Sequence, residues 1–155
     1  MDHAVFIDAK ELENLLCGNK SMIIRAASKK KIPHGAVNKD DNLYFISDKS
    51  KAEVKARGRV SSVMNFERLS VEESFETIID YQNKLQLPDQ QFEMFAGKSF
   101  LVLIELNDMV EIKPFHIRKY RHSSADDWIK IANIRSIVLN KPVQAIKIPS
   151  RNAGR

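Results

Sequence analysis

The alternation of hydrophobic and polar positions divides the chain into short strands and a few amphipathic helices. Alternation over residues 52–64 predicts two strand pieces with a bend or bulge at Gly58. A further strand at Val110 and Ile112 is expected after a turn at residues 107–108, and a last one at 143–148. Compact apolar runs predict the other strands, at residues 4–7, 21–25, 42–46 and 99–106. The strand at 99–106 is apolar enough to lie inside a sheet.

Three segments have helical spacing and recognisable ends. Asp8 is placed as an N-cap before the first helix, and Gly18 follows its last turn. A capping box, Ser70 with a Glu three positions later, opens a helix predicted over residues 71–87, which Pro88 ends. Its apolar positions are expected to face the core. Asp89 is expected to cap a third, short helix before Gly97.

Strands that are not regularly separated by helices argue against a doubly wound parallel sheet. The pattern predicts an α+β protein, a small mixed β-barrel with about three peripheral helices. No linker divides the chain, so one domain is expected over residues 1–148, followed by a basic C-terminal tail at 149–155.

Charge is unevenly distributed along the 155 residues, which carry 25 Lys and Arg against 20 Asp and Glu. Residues 28–59 hold nine basic and four acidic side chains, and residues 112–155 hold ten basic and two acidic ones. Between them, residues 67–111 hold three basic and ten acidic side chains. The two basic blocks indicate a polyanionic partner. The acidic helix face should turn away from that partner. This acidic face consists of Glu72, Glu73, Glu76 and Asp80.

Few residues suggest redox or metal chemistry. Cys17 is the only cysteine, which excludes an intrachain disulfide and indicates an inert buried thiol in a reducing compartment. The four histidines are scattered without metal-binding spacing, so no metal and no cofactor are expected. No apolar run approaches a membrane span and the N-terminus is not a signal peptide, so a cytoplasmic location without membrane contact is expected. Trp128 is assigned to the core.

Residues 4–25 resemble the opening of the ASCH domains of the PUA-like superfamily, to which the EVE domains are related. There a strand leads into a Gly-terminated helix, a Lys follows, and the next strand ends in Arg; Gly18, Lys20 and Arg25 occupy these positions. Residues 39–46, 54–64, 99–106 and 111–137 resemble later parts of the superfamily. The resemblance implies a mixed β-barrel with a cleft beside it that binds RNA or a nucleotide.

On this basis Lys20 and Arg25 are expected to line the cleft, with three basic segments contacting the RNA backbone. The resemblance also allows an alternative, an amidohydrolase acting on acylated cytidine or another modified nucleoside, with Lys20 and the adjacent Ser21 in catalysis. The family's Thr is replaced by Ile23, which counts against that alternative. A third hypothesis is a protein-interaction module that uses the basic tail or the acidic helix. The expected backbone contacts are Lys29, Lys30, Lys31, Arg57, Arg59, Arg118, Lys119, Tyr120 and Arg121.

Overall fold

The computed structural model describes residues 1–118 and 127–139, which form six strands and four α-helices. The strands are β1 (Asp2–Phe6), β2 (Met22–Ala27), β3 (Asn42–Ile46), β4 (Glu53–Phe66), β5 (Phe100–His116) and β6 (Trp128–Ile131). The helices are α1 (Ala9–Leu16), α2 (Val71–Asp80), α3 (Gln82–Leu85) and α4 (Asp89–Phe95), and a 3₁₀ turn spans Ile134–Ile137. This combination of strands and helices confirms the α+β class.

All six strands belong to one sheet in the order β2-β5-β4-β3-β1-β6. Only β1 and β3 run parallel; the other pairs are antiparallel. The sheet curls into a half-barrel, which brings its two edge strands, β2 and β6, towards each other. The predicted small mixed barrel is confirmed in this form. None of the helices in the described part of the chain is long and apolar enough to span a membrane.

The two long strands differ from the sequence prediction. β5 runs without interruption through Asn107 and Asp108, so the predicted turn and separate strand there are wrong. Asp108 adopts a positive φ of 54° inside the strand, and the register with β4 shifts nearby. β4 is likewise one strand of 14 residues, with a register shift between Arg57 and Arg59. The sequence cue at Gly58 therefore marks a bulge rather than a strand end.

The starts of α1 and α2 agree with their capping signals, but the predicted long helix is broken. Asp8 accepts hydrogen bonds from the backbone of Lys10 and Glu11 and so caps α1. The capping box that opens α2 is present in full. The predicted helix over 71–87 is wrong in length, because it is interrupted at Tyr81 and resumes only as the four residues of α3.

The orientation of α2 also departs from the prediction. Ile78 faces the core and is fully buried, whereas Val71, Phe75 and Ile79 are 56%, 39% and 58% exposed. Helical spacing identified the apolar positions, but the neighbouring strands accept only one narrow stripe of them. The acidic face of the same helix is exposed, as expected.

Two smaller expectations are corrected. Pro88 occupies the N-cap position of α4, and Asp89 begins the helix instead of capping it. Cys17 is exposed, because it follows α1 where the chain turns at Gly18, with φ +85°. The predicted strand at 143–148 and the tail at 149–155 lie outside the described residues.

Candidate functional site

A cleft of about 300 Å³ lies at the seam between the two edge strands of the sheet. We call it the seam cleft. Its walls come from β2 and the loop after it, from the end of α4, from the start of β5, and from β6. They comprise residues 25–27, 29, 31–34, 94–95, 98, 100, 102 and 127–128. A cavity of this volume is at the lower end of the range for small-molecule sites.

Arg25 of β2 contacts β1 and β6 across the seam. Its Nη2 donates to the Phe6 carbonyl oxygen of β1 at 3.0 Å, and its Nη1 donates to the Ile24 carbonyl oxygen at 2.9 Å. The guanidinium carbon lies 5.6 Å from the ring centroid of Trp128 on β6, within range of a cation–π interaction. The buried Nε finds no hydrogen-bond partner among the described residues. Burial lowers the pKa of Arg25, and the carboxylates of Glu11 and Asp127 act against this shift.

His34 enters the cleft on a short loop that is fixed to the sheet. Its backbone N–H donates to the Lys31 carbonyl oxygen, and the Gly35 N–H donates to the Asn65 side chain of β4 at 2.9 Å. The His34 ring meets Phe100 edge-on, with centroids 5.5 Å apart. Both ring nitrogens are buried and lack a partner in the described part of the chain.

Positive charge dominates the rim of the cleft. Lys29, Lys31 and Lys98 are exposed lining residues and form no ion pair with any described residue. Among the described residues, Asp127 is the only carboxylate that lines the cleft, and its pairing with Lys49 at 2.9 Å offsets its charge. The cleft therefore favours an anion at its mouth.

A buried polar chain runs from the cleft into the interior. The Trp128 Nε1–H donates to His3 Nδ1 at 2.9 Å, and His3 Nε2 lies 2.8 Å from Asp41 Oδ2. Asp41 also accepts a hydrogen bond from the backbone N–H of Asn38. His3 is completely buried, and Trp128 is 4% exposed, which confirms its assignment to the core. Burial lowers the pKa of His3, although the hydrogen bond to Asp41 acts in the opposite direction.

Lys20 is not among the residues that line the cleft. Its side chain is 2% exposed, and Nζ lies 2.8 Å from Glu11 Oε2. Glu11 also acts electrostatically on Arg25, so the two cations share a carboxylate, but only Arg25 lines the cavity. Ser21 lies beside Lys20 and does not line it either; its backbone bonds to Lys84 and Leu106.

The other expected contacts are dispersed. Lys29 and Lys31 line the cleft, whereas Lys30 does not. The side chains of Arg57 and Arg59 are exposed on β4, and Arg59 pairs with Asp40 at 3.4 Å. Arg118 is exposed beyond the end of β5. None of these three arginines lines the cleft. Lys119, Tyr120 and Arg121 lie outside the described residues.

Sequence reasoning missed His34, Lys98 and Phe100 as parts of one site. His34 is distant in the chain from Lys98 and Phe100, and the pairing of β2 with β5 places the loop after β2 beside the start of β5. The one local signal was the Pro-Gly turn around His34. Among residues 1–118 and 127–139, no group of three His, Cys, Asp or Glu side chains is arranged to hold a metal ion.

Comparison with solved structures identifies this architecture as that of an ASCH domain. The crystal structure of ASCH from Zymomonas mobilis matches with a TM-score of 0.61 over 89% of this chain and 96% of that chain, at 12% identity. Two point-mutant structures of ZmASCH from the same organism have TM-scores of 0.62 at 12% and 11% identity, covering 87% of this chain and 93% and 91% of theirs.

At this level of identity the likeness establishes the fold alone. The chain therefore has an ASCH-type fold, as its resemblance to that family implied. No protein-family model matches the sequence, and no curated protein matches it.

Proposed function

We propose that this protein binds RNA or a nucleotide, with one nucleotide unit held in the seam cleft. The observation that supports this most strongly is a set of buried polar atoms in the cleft wall, Arg25 Nε and both ring nitrogens of His34, that have no hydrogen-bond partner among residues 1–118 and 127–139. Burying a polar atom without a hydrogen-bond partner destabilises the folded protein, so buried polar atoms are nearly always hydrogen-bonded. A polar planar ligand supplies the acceptors and donors that these atoms in the cleft wall lack.

The rest of the cleft fits the parts of a nucleotide. Lys29, Lys31 and Lys98 at the rim provide point charges for phosphate groups, which give affinity without reading sequence. Phe95 and Phe100 in the walls provide apolar and aromatic surface for a base. The acidic side chains on α2 do not line the cleft, so they leave its mouth cationic.

The geometry favours binding over the hydrolase alternative. Ile23, at the position where the resemblance expects a Thr, is completely buried in the core. Lys20 is engaged by Glu11 outside the cleft. Turnover of acylated cytidine and interaction with a protein partner stay predictions from the sequence.

The test is binding of a fluorescein-labelled single-stranded RNA, measured by anisotropy at several salt concentrations. The double variant Lys29→Ala/Lys31→Ala removes two rim charges. We expect it to weaken binding and to lower the slope of log affinity against log salt by about 1.4, because each lost phosphate contact lowers it by roughly 0.7. Unlabelled mononucleotides added as competitors then test whether a single unit fills the cleft.

The matched control is Lys39→Ala/Lys113→Ala, which removes the same charge from exposed positions outside the cleft. The slope for this control should differ from the parent value by less than about half of the change that one phosphate contact produces. The proposal fails if the parent protein shows no binding at low salt, or if the two double variants weaken binding equally.

A further inference from the structure

His3 lies outside the seam cleft but is connected to it through Trp128. The indole N–H is a donor only, so His3 Nδ1 must accept from it and carry no proton. The neutral ring then has its proton on Nε2, which donates to Asp41. The chain Asp41–His3–Trp128 thus has one consistent assignment of donors and acceptors.

Trp128 in turn holds Arg25. The guanidinium lies over the indole ring and donates through two of its nitrogens to backbone carbonyl oxygens, while Nε has no partner among the described residues. A rotation of the indole would remove the surface against which the guanidinium packs. The orientation of Arg25 Nε therefore depends on a hydrogen bond made on the far side of Trp128.

We propose that His3 is a positioning residue for the seam cleft: through its hydrogen bond to Trp128 it fixes the indole, and through the indole it fixes Arg25 for ligand binding. The effect on binding rests on the proposed function, whereas the positioning of the indole and the guanidinium is measurable without any ligand.

Two amide variants divide the chain of hydrogen bonds at His3. The Oδ1 of His3→Asn falls near the position of Nδ1, so it still accepts from Trp128 but does not reach Asp41. The amide nitrogen of His3→Gln falls near Nε2, so it still donates to Asp41 but leaves the indole N–H unpaired. Both variants replace the imidazole by a buried amide, and each is the control for the other.

The ligand-free readouts are two ¹⁵N NMR signals. Trp128 is the only tryptophan, so the protein has one indole N–H signal. We expect the indole N–H to exchange with solvent at least about tenfold faster in His3→Gln than in the parent protein, and the Arg25 Nε–H signal to shift. In His3→Asn both signals should stay close to those of the parent.

Binding of the labelled single-stranded RNA is the second readout. We expect His3→Gln to weaken it roughly three- to tenfold, the effect of one net hydrogen bond, and His3→Asn to stay within about twofold of the parent. If the two variants give the same NMR signals and the same affinity, the proposal is wrong. If the indole is released in His3→Gln while affinity is unchanged, the proposal is also wrong, and the proposed function stands.

If the parent protein binds no RNA, the proposed function fails, and the two NMR signals still decide whether His3 positions Trp128 and Arg25. Should either His3 variant not fold, Trp128→Phe breaks the same hydrogen bond from the other side and keeps an aromatic ring. It should shift the Arg25 signal as His3→Gln does; an unchanged signal would overturn the proposal.

Discussion

At the scale of single residues, the hydrogen-bonding capacity of the buried His3 side chain matters as well as its size. His3 is completely buried and still has a partner for each ring nitrogen, Trp128 on one side and Asp41 on the other. The indole N–H requires an unprotonated Nδ1 and the Asp41 carboxylate requires a proton on Nε2, so the two partners together require the neutral ring. This requirement makes the stability of the fold sensitive to acid.

We expect the free energy of unfolding to fall as the pH drops below about 6.5, the ordinary pKa of histidine. Burial lowers the pKa of His3 in the folded protein, so the unfolded chain takes up a proton first and is favoured. The charged groups that act on His3 are Asp41, the terminal amine and Lys130. Urea unfolding at pH 7.5, 6.5 and 5.5 measures the effect.

His3→Asn isolates this contribution, because the other titratable groups are the same in both proteins. The stability advantage of the parent over the variant should shrink by up to about 1.4 kcal/mol per pH unit between pH 6.5 and the folded pKa. An advantage that stays constant over this range would contradict the expectation.

At the scale of elements, the capping signals at the starts of α1 and α2 were reliable because they act within a few residues. The Asp8 cap and the Ser70–Glu73 box are both present. Strand continuity was not predictable, because the partner strand decides it. Bulges let β4 and β5 pair through positions that read locally as a bend and a turn.

Replacing Ser70 by Ala should destabilise the protein by about 1 kcal/mol. The substitution removes the hydroxyl that accepts from the Glu73 backbone at the start of α2. Chemical denaturation measures the loss. Ser70→Asp restores an acceptor at the N-cap and should recover most of the stability; equal losses in the two variants would mean that the cap contributes nothing.

At the scale of the whole molecule, the curl of the sheet creates the site. The edge strands β2 and β6 are at opposite ends of the strand order, yet Arg25 and Trp128 from these two strands are in contact. Arg25 also bonds to the carbonyl oxygen of Phe6 across the seam. The guanidinium therefore joins the two edges and forms part of the cleft wall at the same time.

Arg25→Lys keeps the positive charge but loses the planar fork that reaches Phe6 and Ile24. We expect a loss of about 2 kcal/mol in the free energy of unfolding, because hydrogen bonds to charged donors are worth roughly 1.5–3 kcal/mol each and the ammonium recovers part of this. Hydrogen exchange should also accelerate at the seam, in β1 and β6. Unchanged stability and exchange would show that Arg25 does not hold the edges together.

The sequence by itself determined the fold class, the starts of α1 and α2 and most strand positions, because periodicity and capping are local properties of the chain. It also pointed to Arg25 and to the lysines at 29 and 31. Tertiary structure alone decided that Lys20 pairs with Glu11 away from the cleft, and that His34, Lys98 and Phe100 join it. The physical reason is that the cleft depends on contacts between residues distant in sequence, since β2 pairs with β5 and the curl of the sheet brings β6 towards β2.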